Sequence, residues 1–212
     1  MVRASWARQE EICARKGVPF WPNAITVGRL TASSALSVIA IRRKRGWQAL
    51  GLGGAALVVQ WIGDSCDGVV ARRLDQETVI GAWNDSVADR IAVCLGCAAI
   101  WLLENEPLAA AFGLHYLVSD GIVTMSFTRF NLGSPNYFYL VDEGIYKMNW
   151  SLPAKVCSQL PLVMLALRVP RPIVKIVLTG VVVWKLTTLA AVARVARRQK
   201  QAGYHIQEQE EE

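Results

Sequence analysis

What the chain lacks narrows its class first. Its five cysteines, Cys13, Cys66, Cys94, Cys97 and Cys157, are odd in number and lie mostly within apolar segments, which excludes a disulfide framework. Cys94-x-x-Cys97 sits mid-segment without further ligands beside it, so it reads as packing and not as a zinc or redox pair. No cleavable signal peptide is expected, because residues 1–20 carry charges of both signs and lack an apolar stretch. The long apolar runs show no period-2 alternation, and an open sheet cannot span lipid, so strands are a poor reading. The net charge of +6 does not point to nucleic acid, because the basic residues gather at the ends of apolar stretches instead of interleaving with aromatics. A membrane with anionic headgroups is the better partner.

What is present is apolar length. Of the 212 residues, 53% are hydrophobic, which is high for a soluble domain. Six apolar segments lie near 23–41, 47–72, 80–103, 107–130, 152–168 and 172–196. Each is long enough to cross a hydrocarbon core of about 30 Å as a helix, the fifth only just. Trp21, Trp47, Trp101 and Trp150, near segment ends, fit an interfacial aromatic belt. Ahead of these segments, residues 2–16 scatter Val2, Trp6, Ile12 and Cys13 among charges, as in a helix lying on a membrane surface. The predicted fold is all-α: six transmembrane helices after an N-terminal amphipathic surface helix, forming one membrane domain over 1–200. Residues 201–212, with Glu208, Glu210, Glu211 and Glu212, are expected to be a disordered acidic tail.

Membrane segments rarely tolerate ionisable groups, so Asp64, Asp67, Asp85 and Asp89 need a reason. Asp64 and Asp67 are three apart and share one face of the second helix; Gly81, Asp85 and Asp89 repeat at four and share one face of the third. Two antiparallel helices joined by the short polar stretch 73–79 bring those faces together. Four carboxylates around one small volume repel one another unless divalent cations are present. Oxygen-only ligands favour Mg²⁺ or Mn²⁺ over zinc. A two-cation carboxylate site suits phosphoryl chemistry. Gly68 and Gly81 permit close approach of a ligand or the facing helix, and Arg72 places a permanent cation where phosphate would lie. The competing structural reading, buried ion pairs with Arg72, Arg73 and Arg90, explains some of the charge but not the two-face geometry.

Read together, Asp64, Asp67, Gly68, Ala71 and Arg72, then eight residues, then Gly81, Asp85 and Asp89, resemble the signature of the CDP-alcohol phosphotransferase family. The resemblance implies transfer of a phosphoalcohol group, commonly phosphatidyl from CDP-diacylglycerol, to a hydroxyl acceptor with release of CMP. It makes Asp64, Asp67 and Asp85 metal ligands, and Asp89 the catalytic base that also touches a second ion. It assigns Gly68, Ala71, Arg72, Thr78 and Gly81 to the CDP donor. Pro22, Asn23 and Thr26 are similar to the family's stretch at the start of the first helix, so Asn23 and Thr26 are expected to border the nucleotide. A homodimer is a further expectation from the resemblance.

The acceptor is less well specified. A phosphorylated alcohol needs extra cations, and Arg129, Lys155 and Lys185 are the candidates, the first two also reading as snorkelling anchors. Pro22-Asn23 with Thr26 and Arg29, and Lys155 with Ser158, are similar to phosphatidylglycerophosphate and cardiolipin synthases, which favours glycerol 3-phosphate. Asn84-Asp85-Ser86 departs from the Leu-Asp-Pro usual there, and Asp89-Arg90 occurs in relatives that use inositol. Inositol or its phosphate is therefore the runner-up, followed by phosphatidylglycerol. A divalent-cation transporter is the reading from another class; it accounts for neither Gly68, Arg72 nor Gly81.

With six crossings both termini share a side. Lys and Arg number thirteen on that side and seven on the other, which predicts cytoplasmic termini and an active site near the cytoplasmic face. The run Arg42, Arg43, Lys44 and Arg45 opposes this orientation. A cysteine placed at position 44 should be labelled from outside intact cells; protection there would overturn the topology.

Overall fold

The computed structural model describes residues 2–15, 17, 19–43 and 47–210, and all regular structure among them is helical. Lys16, Lys44, Arg45, Glu211 and Glu212 lie outside the described residues, as do the side chains of Val2, Arg3, Trp47, Glu208 and Glu210. The first helix, α1 (Val2–Ala14), precedes α2 (Phe20–Arg42), α3 (Trp47–Arg73) and α4 (Val79–Glu104). Then α5 (Pro107–His115) runs through a π turn (Tyr116–Asp120) into α6 (Gly121–Met125) and a 3-10 turn (Ser126–Phe130). The connection that follows holds a 3-10 turn (Pro135–Leu140) and α7 (Glu143–Asn149), after which come α8 (Leu152–Ala166) and α9 (Arg171–Glu210).

Local chemistry sets these boundaries. Pro19 is extended and α2 starts immediately after it. The Thr78 hydroxyl caps α4 by accepting from the Gly81 amide at 3.0 Å, and Asn105 ends that helix in the left-handed region at φ 52°, where asparagine is tolerated. Glu106 and Pro107 start α5, Asp142 caps α7, and Ser151 caps α8.

Each of the six apolar segments is helical, and among the described residues four spans meet the length and apolarity of a membrane crossing: Phe20–Arg42, Val79–Glu104, Pro107–Phe130 and Arg171–Lys200. Helices α3 and α8 are not among them. Gln60, Asp64 and Asp67 make α3 polar on one face, and the 15 residues of α8 rise only about 22 Å. Trp21 and Trp101 are exposed as a belt requires, but Trp150 is buried and stacks on Phe138 at 4.4 Å between ring centroids. Trp150 therefore belongs to the core and not to the belt. Helix α9 runs as far as Glu210.

Packing places α2 along both α3 and α4. A main core of Val93, Phe112, Leu162 and Val174 joins α4, α5, α8 and α9. A second cluster, with Phe127, Phe138, Trp150 and Val192, seats the 131–151 connection on α9. The polar residues of α1 dock on protein: Arg8 pairs with Asp75 and Glu77, Arg15 pairs with Asp75, and Gln9 accepts from the Gly133 amide at 2.8 Å. A Cβ at Gly133 would collide with Ile12, so only glycine admits α1 this closely.

The Arg15 hydrogen bond holds the Asp75 carboxyl below the usual carboxylate range. The pairing is thus present above the ordinary Asp pKa and is released as pH falls through the lowered value. Gly133→Val should detach α1, read as faster amide hydrogen exchange over residues 2–15; unchanged exchange would contradict this docking.

Candidate metal and phosphoryl-transfer site

The short connection between α3 and α4 folds the two helices side by side, so the two acidic faces meet as their spacing requires. Oxygens of Asp64, Asp67 and Asp85 lie within 4.8 Å of one another. Asp67 is buried, while the Asp64 and Asp85 side chains are 37% and 41% exposed. At their centre is a residue from a third helix. Arg29 of α2 lies 3.4 Å from Asp64 and 3.0 Å from Asp67, and it also pairs with Asp85. Thr26, one turn earlier, donates to Asp67 at 2.8 Å. Gly63 makes room for this, because a Cβ there would come within 2.6 Å of the Arg29 side chain.

The fourth carboxylate is held differently. The Tyr116 hydroxyl and Arg90 Nη1, the latter at 3.2 Å, both donate to Asp89 Oδ2. Gln60 donates to Asp89 Oδ1 at 3.4 Å. Aspartate and arginine do pair at this site, but Arg29 and Arg90 are the partners; among the described residues Arg72 and Arg73 enter no ion pair.

Three carboxylates against one guanidinium leave a formal charge of −2. The donors are all oxygen and two of the three residues are partly exposed, so the group fits a hard divalent cation. Its capacity to hold a metal ion follows from that donor set.

Around it, the other expected residues are distributed unevenly. Asn23 accepts from Asn84 at 3.0 Å, tying the start of α2 to α4 beside Asp85. Arg72 is exposed and its guanidinium lies over Gly68. Ala71 is half-buried on α3, and Thr78 with Gly81 forms the α4 cap. Arg129 and Lys155 are exposed, Lys155 reaching Asn136 at 3.4 Å. Lys185 is not an open acceptor cation: it is 2% exposed and bound to Asp120 at 2.6 Å and Asn149 at 2.5 Å.

A family model described as CDP-alcohol phosphatidyltransferase matches residues 20–193. The chain belongs to that family. Comparison with curated proteins and with solved structures returned no significant match. As a CDP-alcohol phosphatidyltransferase it is an enzyme of phospholipid synthesis that transfers a phosphatidyl group from CDP-diacylglycerol, and its long apolar helices make it an integral multi-pass membrane protein.

Sequence reasoning missed Arg29, Asp120 and Tyr116 as parts of this enzyme's polar centre. A signal existed for two of them. Arg29 and Asp120 are lone charges well inside apolar segments, where an ionisable group needs a partner.

Removing the shared guanidinium takes the ion-pair partner from the buried Asp67, and breaking a buried pair costs about 3–5 kcal/mol. Arg29→Met should therefore melt well below the wild type in detergent, and added Mg²⁺ should raise its melting temperature more than the wild type's. Equal melting of the two proteins without metal would contradict the hub role of Arg29.

Proposed function

We propose that this enzyme joins the phosphatidyl group of CDP-diacylglycerol to the hydroxyl of a small polar alcohol, with Asp89 as general base. The observation that carries the reading is the division of the four aspartates. Asp64, Asp67 and Asp85 form one anionic group, and Asp89 stands apart in a separate set of hydrogen bonds.

Asp64, Asp67 and Asp85 would hold two ions, Mg²⁺ or Mn²⁺, and Asp89 would border the second. When bound, such ions neutralise diphosphate charge and stabilise the departing CMP. Thr26 and Arg29 keep Asp67 oriented. Arg72, over Gly68, offers a permanent cation to the diphosphate, and Asn23, Ala71, Thr78 and Gly81 line the approach of the nucleotide.

The base assignment rests on atom-level occupancy. Asp89 Oδ2 already accepts two hydrogen bonds, whereas Oδ1 accepts one long one. Oδ1 therefore has the free lone pair for a proton. The acceptor hydroxyl attacks the phosphorus that bears the diacylglycerol oxygen, its proton passes to Asp89 Oδ1, and the phosphoanhydride bond to CMP breaks.

Glycerol 3-phosphate is the acceptor we favour. Arg129 and Lys155 remain available to its phosphate, while the buried pairing of Lys185 removes that residue from the candidates. We further propose six crossings with α3 and α8 included, cytoplasmic termini, α1 on the membrane surface, and a homodimer. The polar face of α3 is compatible with crossing because α2 and α4 cover it.

The test is metal-dependent CMP release from CDP-diacylglycerol with a panel of acceptors. Glycerol 3-phosphate should accelerate release most; acceleration only by inositol would move the assignment to the runner-up. No acceleration of CMP release by any alcohol of the panel would refute a small polar alcohol as the acceptor. Asp89→Asn should abolish turnover, a loss of about 10²–10⁴-fold for a removed base, while sparing donor binding. Full activity in that variant would refute the base assignment.

A further inference from the structure

A second buried polar cluster adjoins Asp89, and neither the signature nor the metal group accounts for it. Arg90 Nη2 donates to Asp120 Oδ2 and to the Thr124 hydroxyl, each at 2.7 Å. The other Asp120 oxygen pairs with Lys185 Nζ at 2.6 Å, and Lys185 also reaches Asn149 at 2.5 Å. Arg90, Asp120, Asn149 and Lys185 are all buried. The set joins α4, the 107–130 segment, α7 and α9. With Asp89 counted in, two carboxylates and two cations leave it formally neutral, unlike the metal group beside it.

Asp120 is the single acidic residue in 107–130. It ends the π turn that begins at Tyr116. Such turns insert a residue into the helix ladder and re-aim the side chains around it, frequently at functional sites. Here both ends of the turn converge on Asp89. Tyr116 reaches it directly, and Asp120 reaches it through Arg90. The Tyr116 ring is itself fixed, stacked on Phe112 at 5.9 Å with the Arg90 guanidinium over its face at 4.9 Å.

We propose that Tyr116 and Asp120 are positioning residues for the transfer reaction. Together they engage Asp89 Oδ2 so that Oδ1 alone is presented to the acceptor hydroxyl. Asp120 acts by drawing one end of the Arg90 guanidinium away from Asp89. Without it, Arg90 has no competing carboxylate and can close on both Asp89 oxygens, as arginine does with carboxylates. This assignment rests on Asp89 being the base.

The experiment measures kcat and KM for CDP-diacylglycerol in detergent micelles with Mn²⁺ and glycerol 3-phosphate, or whichever panel alcohol gives turnover. Asp120→Asn should lower kcat about 10- to 100-fold, with KM for the donor changed by less than about twofold. The double variant Asp120→Asn with Lys185→Met restores charge balance around Lys185, yet its kcat should stay low. Wild-type kcat in the single variant, or recovery in the double, would overturn the proposal, because recovery means that Asp120 serves only to neutralise Lys185.

Should Asp120→Asn fail to fold, Tyr116→Phe carries the test, since it removes one hydroxyl and keeps the stacked ring. Its kcat should fall about 10-fold at unchanged donor KM; an unchanged kcat would overturn the proposal. Asp89→Asn separates the two readings. If it is active, the base assignment fails. If it is inactive while Tyr116→Phe and Asp120→Asn turn over at the wild-type rate, only the positioning role fails.

Discussion

One guanidinium shared by three carboxylates is the interaction on which this structure depends. Asp64, Asp67 and Asp85 come from two helices and would repel one another in a medium of low dielectric. Arg29, from a third helix, touches all three. Its position requires a glycine at 63 on the facing helix and a hydroxyl at Thr26 to complete Asp67. A buried ion pair of this kind contributes little net stability, because desolvation offsets the attraction. Its value lies in fixing three helices in register while leaving a charge that one divalent cation would neutralise.

The four-residue spacing between Asp85 and Asp89 places neighbouring turns of α4 in two different electrostatic settings. Asp85 faces the anionic group around Arg29. Asp89 faces a set balanced by Arg90, Asp120 and Lys185. In the proposed roles, a carboxylate that accepts a proton and carboxylates that hold cations have conflicting requirements, which separate surroundings would satisfy. The π turn at 116–120 supplies the second setting from a helix that contributes nothing to the first.

Much of this was legible in the sequence. Spacings of three and four between aspartates define two helix faces, and the polar stretch between them forces the faces together. The helical character of each apolar segment follows from length and lack of alternation. Contacts between distant helices were not legible. Arg29 appears in the sequence as one charge in an apolar segment, and nothing local says that it meets three aspartates 35 or more residues away. Lys185 reads as a cation at membrane depth, but its partners Asp120 and Asn149 come from other helices. Trp150 sits at a segment end like a belt residue, and only the tertiary fold stacks it on Phe138. Of the 23 Lys and Arg, the three that fall to neither side of the membrane in the charge count are Arg29, Arg90 and Lys185. These same three neutralise buried carboxylates, so the signal was present in the residues that a topology count sets aside.

The separation of the aspartates into a metal group and a base is tested most directly by Mn²⁺ binding, followed by electron paramagnetic resonance of purified Asp85→Asn and Asp89→Asn variants. Asp85→Asn should lose affinity about 10-fold or more, since a removed ligand costs at least as much as the 10- to 100-fold of an outer-shell partner. Asp89→Asn should lose less, the tighter ion held by Asp64, Asp67 and Asp85 staying within a few-fold of wild type. Equal losses in the two variants would contradict the division and make all four carboxylates one metal site.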